Sequence, residues 1–429
     1  MSLTCIAFLT VYLALTAAGI VRHPAYAVVG YYVTYIVSPP TRWWGEPLAN
    51  LGFRYSFLIA AAAVIAVLLH LRHLKRGQGI SKQELLLWTF VGSIWLAGWL
   101  NPPLIIGENQ ALKLTKAALM IFLLKRSVED LSKVRLLMWA LVISSVYVAF
   151  DTRIMAARMG SRIDVGTGGS DFLEGNFLAA HLAVMLPLMG ALFLLSKWHI
   201  RAALLVSAAL MVDAIVQCRS RGAFVAILAG AIVALLFAPH GSRRRIYVLA
   251  VLGGLCSLSL VDDSFWERMR LIRPMTAAEQ QDSSTKGRLI AWQAALDMAA
   301  DHPGGVGYNN FKVRVADYQP TLANRDAHST YLRCLAELGI QGLALLSLLI
   351  ITSLLKTYSL HRHVRKNPGI DKQWALFVYA TGIGIVIYLI AGVFISSTYI
   401  EEFYLFLLLP DVLSRAMPEG SRPQAVFES

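Results

Sequence analysis

Residues 262–331 form one long stretch without a membrane-length apolar run, and they carry Arg288 and His328. His328 lies just before the apolar run 332–356, at the expected outer mouth of a spanning helix. A histidine there titrates in the physiological range and can act as a base; a solvated structural histidine is the competing reading. Residues 286–300, KGRLIAWQAALDMAA, put Leu289, Ile290, Trp292, Ala295, Leu296 and Ala299 at the spacing of an amphipathic helix. Asp282, Ser283 and Ser284 are its candidate caps, and His302-Pro303-Gly304-Gly305 ends it. Arg288 then falls in the first turn, where the helix dipole does not favour a cation. Holding an anion explains that placement; pairing with a loop carboxylate is the alternative.

A second cationic group is Cys218-Arg219-Ser220-Arg221-Gly222, which interrupts the apolar region 202–238. Charges at membrane depth are costly and face a partner or a wet cavity, and the guanidinium fork matches a phosphate bidentately. Snorkelling of the two side chains is the competing reading. Arg153, Arg158 and Arg162 lie in 151–175, on the side where basic residues are not expected. Either the boundary is misplaced there or these arginines face a phosphate. His181 lies inside an apolar run and reads as structural. No Walker A loop and no Gly-x-Ser-x-Gly elbow occur, and no Asp-x-Asp pair or His/Cys/Glu cluster falls on the outer side. Asp262-Asp263 and Glu401-Glu402 are adjacent pairs, a poor geometry for a metal, so neither metal nor cofactor is expected.

The elements that must position these groups are membrane helices. The chain has 429 residues, 57% hydrophobic and 15% charged, whereas soluble domains are about 25% charged. Backbone groups in lipid must be satisfied within the segment, so the long apolar runs imply helices. The expected class is an all-α polytopic membrane protein with about twelve spans and one large, partly helical outer loop. Runs centre on 2–20, 24–38, 55–71, 85–100, 110–124, 134–150, 176–196, 201–217, 222–238, 246–261, 332–355, 374–395 and 401–413, the second and last being short. No small-residue cleavage site follows the first, which reads as a retained helix. The expected organisation is helices over 1–261, the loop 262–331, helices over 332–413 and a cytoplasmic tail 414–429.

The net charge of +13 sits in short alternate loops. They carry Arg72 and Lys82; Lys125 and Arg126; Lys197 and Arg201; Arg243, Arg244 and Arg245; and Arg362, Arg365 and Lys366. That pattern orients a membrane protein and argues against a nucleic-acid partner. It puts 38–54, 101–109, 151–175, 218–221, 262–331 and 396–400 outside. Cys5, Cys218, Cys256 and Cys334 have no metal-like spacing and read as buried thiols, a Cys218–Cys334 bridge being the alternative.

Three segments in this order resemble the bacterial family of O-antigen ligases, O-antigen polymerases and O-oligosaccharyltransferases. The first is Ser220-Arg221-Gly222-Ala223. The second is Gly287-Arg288 with Trp292 and Ala294-Ala295-Leu296, followed by Pro303-Gly304-Gly305-Val306-Gly307 and Phe311. The third is His328 with Tyr331-Leu332, then Ala336-Glu337-Leu338-Gly339 and Gly342. Glu174-Gly175-Asn176 with Ala179 and Pro187 also looks like that family, so the likeness covers roughly 150–410. Ser329 departs from it, since asparagine commonly follows the histidine.

The resemblance implies a GT-C-like glycosyltransferase at the periplasmic face of a Gram-negative inner membrane. The donor would be O-antigen linked to undecaprenyl diphosphate, and the acceptor a sugar hydroxyl on the lipid A–core, with membrane lipids around both. His328 is then the expected base, and Arg221 and Arg288 the groups that stabilise the departing diphosphate. Arg219, Arg158, Arg162, Asn176 and Tyr331 are expected to bind substrate. The single long loop and short tail look most like the ligases. A polymerase acting on the same carrier is the second reading. A transporter or flippase is the third; it has no use for His328 and would gather its polar groups near the midplane.

Overall fold

The computed structural model describes residues 2–74, 79–104, 107–159, 171–259 and 283–418. Residues 262–282, Arg162 and the tail 419–429 lie outside them. Among the described residues the secondary structure is helical, without a strand. The helices are α1 (Leu3–Val21), α2 (Ala25–Val37), α3 (Glu46–Asn50), α4 (Tyr55–His70), α5 (Lys82–Leu100), α6 (Gln110–Ser127), α7 (Leu131–Met159) and α8 (Gly175–Leu195). They continue with α9 (Trp198–Cys218), α10 (Arg221–Leu236), α11 (Arg243–Ser259), α12 (Ser283–Asp301), α13 (Phe311–Tyr318), α14 (Thr330–Lys366), α15 (Lys372–Ala391) and α16 (Glu401–Ala416). Local chemistry sets several starts. Ser81 and Glu84 form a capping box before α5, and Asn109, Ser220, Ser329 and Asp371 each accept a backbone N–H at the start of their helix.

Six stretches are long and apolar enough to cross a membrane: Leu3–Val21, Leu131–Met155, Gly175–Leu195, Trp198–Cys218, Thr330–Lys366 and Lys372–Ala391. Tyr55–His70 and Arg221–Leu236 are apolar but shorter. The chain is thus a multi-pass helical protein. The helices fall where the apolar runs are, but α5 and α6, which carry Glu84, Lys113, Lys116 and Lys125, do not meet that standard.

The two short runs turn out to be the interior. Every residue of α16 from Glu401 to Ala416 is buried, and so are ten of the thirteen in α2. α16 packs on α6, α14 and α15. A helix enclosed by protein need not match the thickness of a bilayer, which explains both their length and the tolerance of Glu401, Glu402, Asp411 and Arg415 in α16. At one end of the bundle Lys125 bridges Glu84 at 2.8 Å and Asp411 at 2.6 Å, Ser81 donates to Asp411 at 2.6 Å, and Arg126 also pairs with Glu84.

At the other end residues 283–328 form a packed cap. Ala291, Ala294, Ala295 and Met298 of α12 join Val306, Phe311, Val315, Leu322, Ala327 and Ala336 in a small core of their own. Fully burying a side chain such as Phe311 contributes about 1.5–3 kcal/mol. The cap docks on a break in α14. Gly339 has φ 71° and ψ −172°, which divides α14 into Thr330–Leu338 and the long helix beyond. The break frees the carbonyls of Ala336 and Glu337, which accept the N–H groups of Val306 at 3.0 Å and Gly307 at 2.9 Å. Ile340 N–H returns to the Pro303 carbonyl at 3.1 Å. The expected single helix over 332–355 is therefore two.

A Cβ at Gly339 would collide with the Pro303 carbonyl and the Gly304 backbone, and the dihedrals are nearly glycine-only. Gly339→Ala is expected to cost at least about 1–3 kcal/mol. The check is a lowered thermal unfolding temperature in detergent, with a substitution at the open Gly190 as control.

Two readings left open by the sequence are decided. α7 continues to Met159, so Arg153 lies on a helix, where it pairs with Asp213 of α9 at 3.0 Å; it is not a loop group facing a ligand. Arg158 belongs to the last turn of α7, its side chain outside the described set. Cys218 and Cys334 are buried free thiols and form no bridge.

Candidate active site at the capped end

His328 stands between the cap and the bundle, half-buried, with φ 47°. A left-handed histidine is strained and persists only where its surroundings over-determine it. They do so here. Trp292 of α12 donates Nε1–H to the Ala327 carbonyl at 3.0 Å. Ser329 caps α14, accepting from Leu332 N–H, which is the work done by the residue that departs from the family pattern. Thr330 donates N–H to the Gly392 carbonyl at 2.8 Å and Oγ1–H to Ile395 at 2.7 Å, and it accepts from Ser397 N–H at 2.8 Å.

Asp326 anchors the other flank. It accepts from Ser396 Oγ at 2.6 Å and from Arg333 Nη1 at 3.0 Å, with Lys312 Nζ at 3.5 Å. Burial alone would raise its pKa, but Arg333 and Lys312 outweigh burial and hold the carboxyl at about 2. Arg333 itself also pairs with Glu337 at 3.3 Å and meets Asn309 Oδ1 at 3.2 Å. Glu337 in turn accepts from Tyr399 at 2.6 Å and from Phe311 N–H at 3.2 Å. Asp326, Arg333, Glu337 and Lys312 are a framework that motif reading missed. The available signal was the run of charges within 326–337, immediately before an apolar helix.

Burial lowers the His328 pKa below 6.5; Arg288 and Lys312 push it the same way, while Asp326 and Glu174 oppose them. The imidazole is therefore neutral at pH 7 and able to accept a proton. Arg288 is half-buried on α12 and is one of the charges acting on His328. It lies in the second turn, since α12 begins at Ser283, not in the first as the apolar spacing suggested. Replacing Arg288 by glutamine is expected to raise the His328 pKa toward 6.5, because a nearby cation disfavours the imidazolium. Histidine-selective NMR titration reads this without needing turnover.

Arg221 is the first residue of α10, and Arg219 caps α9 with φ 47°. Both are half-buried. Gly222 lets the Phe394 ring close on the start of α10; a Cβ there would sit 2.7 Å from Phe394 Cβ. Phe394 belongs to the same 392–397 turn that holds Thr330 and, through Ser396, Asp326. One turn thus ties the start of α10 to the flanks of His328. Asn176 is the second residue of α8 and half-buried, two positions after Glu174. The Tyr331 hydroxyl is already engaged by the Leu389 carbonyl at 2.7 Å. Asn101, Pro102 and Glu108 join the same end: Asn101 donates to Gly305, Asn310 to Pro102, and Asn309 to Glu108.

Far in sequence but near in space, His181 is fully buried between Ser145 and Glu402. Among the described residues no group of three or more His, Cys, Asp or Glu side chains is arranged to hold a metal ion. The arrangement at the capped end, a neutral imidazole with cations around it, can take a proton beside an anionic group.

A search of curated proteins finds no match. The family model described as O-Antigen ligase matches residues 206–347, which leaves Asn176 and α16 outside the matched part. That segment contains Arg219, Arg221, Arg288 and His328 together with the cap and the glycine break of α14, and over it the chain matches the O-antigen ligase family model.

Proposed function

We propose that this protein is an O-antigen ligase of the inner membrane, working at its periplasmic face. It transfers polysaccharide from undecaprenyl diphosphate to a sugar hydroxyl of the lipid A–core. The observation that carries the reading is His328, held in a strained conformation and kept neutral beside Arg288 at the end where the start of α10 brings Arg221. The acceptor oxygen attacks the anomeric carbon as its proton passes to His328. The bond from that carbon to the diphosphate breaks, and the diphosphate leaves with the electron pair. One displacement inverts the anomeric centre. Arg221, with the amide groups at the N-terminus of α10, and Arg288 are preorganised donors for the charge that develops. Arg219 and Asn176 line the approach, with Arg158 contributing from the end of α7 and Arg162 from the segment that follows it. The long loop 262–331 acts as the catalytic unit on a membrane scaffold.

Fixed cations do here what a divalent ion does in many glycosyltransferases, so transfer is expected to proceed in chelator. The test is purified protein with lipid-linked donor and lipid A–core acceptor in EDTA. Glycan on lipid A–core supports the reading. Longer glycan still on the carrier would make the protein a polymerase, and full loss in EDTA with rescue by magnesium would refute the metal-free step.

A further inference from the structure

Inside the bundle lies a polar cluster that the transfer chemistry does not use. His181 of α8 is fully buried; its Nδ1 meets Glu402 Oε1 of α16 at 2.5 Å and its Nε2 meets Ser145 Oγ of α7 at 3.0 Å. The Phe172 ring stacks on the His181 ring, centroids 4.3 Å apart and planes 26° off parallel. Asp171, next in sequence, accepts from the Tyr35 hydroxyl of α2 at 2.6 Å and pairs with Lys113 of α6. The Tyr35 oxygen in turn accepts the Glu402 backbone N–H at 3.4 Å. Helices α2, α6 and α8 therefore grip two consecutive residues, Asp171 and Phe172, just ahead of α8, and α7 and α16 hold His181 in turn. Buried polar groups carry a desolvation penalty that an apolar core would avoid, so their retention calls for a reason. The reason is close at hand. Two residues on from Phe172 is Glu174, exposed and acting electrostatically on His328, and then Asn176.

We propose that His181, Glu402 and Tyr35 are positioning residues which hold segment 171–176 in place, and thereby set Glu174 and Asn176 against the His328 site. The cluster touches no substrate. It works by fixing the segment that carries Glu174, whose charge acts on His328 against that of Arg288, so that the base meets an acceptor hydroxyl in one geometry. Its catalytic consequence rests on the reading of His328 as the base; the anchoring itself does not.

The test uses the full-length protein in nanodiscs, with Tyr35→Phe and His181→Gln. Tyr35→Phe removes one hydroxyl with almost no change in volume and keeps the test alive if His181→Gln fails to fold. Hydrogen exchange of peptides covering 171–176 is expected to quicken by roughly tenfold, the loss of one charged hydrogen bond, while α12 and α14 keep their protection. With donor and acceptor, kcat should fall between roughly tenfold and a hundredfold with little change in donor KM. The acid limb of the pH profile should move to lower pH. The charges facing His328 are Asp326, Glu174, Arg288 and Lys312, and displacing Glu174 removes one of the two that favour the imidazolium. Unchanged exchange over 171–176, or exchange that rises evenly along the chain, overturns the proposal. If the unsubstituted protein transfers no glycan, the exchange result still decides the anchoring, and only the reading of its function fails.

Discussion

Replacing His328 by alanine is expected to lower transfer between about 10²- and 10⁴-fold, the usual contribution of a positioned general base. A sugar hydroxyl is a poor nucleophile at neutral pH, and its proton needs an acceptor as the new bond forms. Burial, Arg288 and Lys312 keep the imidazole unprotonated where it would otherwise be partly charged. The loss should appear in kcat, because nothing in the proposed role binds the ground state. The sign of the pH dependence follows. The His328 pKa lies below 6.5, so transfer holds at pH 7 and falls as the pH drops through that lowered value, when the base is protonated. Retained wild-type transfer in His328→Ala, measured with purified donor and acceptor, would remove the base from the mechanism.

Arg221→Ala is expected to cost on the order of 10²- to 10³-fold in kcat, the range found for one preorganised donor to a developing anion. Arg288→Ala should behave alike. Lysine should rescue neither fully, since a point charge cannot reproduce the bidentate fork. Gly222 and Phe394 fix where α10 begins, so the guanidinium is carried on a helix start and not on a free loop. A transfer assay of both arginine variants with their lysine counterparts is the check. Equal activity of the lysine and arginine forms would mean that charge alone matters.

The sequence reveals helices well and their partners poorly. The apolar runs predicted α1, α4, α8, α9 and α15 to within a few residues, because backbone in lipid has few alternatives. The break at Gly339 was not legible, since one glycine in an apolar run is tolerated in many helices; only the docking of Pro303–Gly307 gives it a purpose. Of the two readings of Arg153 the misplaced boundary holds, because α7 continues past the end of its apolar run. His181 and Glu402 lie 221 residues apart, and no local spacing announces such a pair. The available hint was Glu401-Glu402 at the head of an apolar segment, where ionisable side chains mark something that matters. Arg221, Arg288 and His328 stood out in the sequence because each interrupts its setting, but what ties the start of α10 to the flanks of His328 is the 392–397 turn, which carries no motif.

The most direct measurement is a structure of the protein bound to a non-transferable phosphonate analogue of the lipid-linked donor. The account predicts the phosphorus groups between Arg221 and Arg288, the anomeric carbon turned toward His328, and the isoprenoid tail leaving between helices into lipid. Phosphates seated at the opposite end, beside Lys125 and Arg126, or an anomeric carbon out of reach of His328, would contradict it.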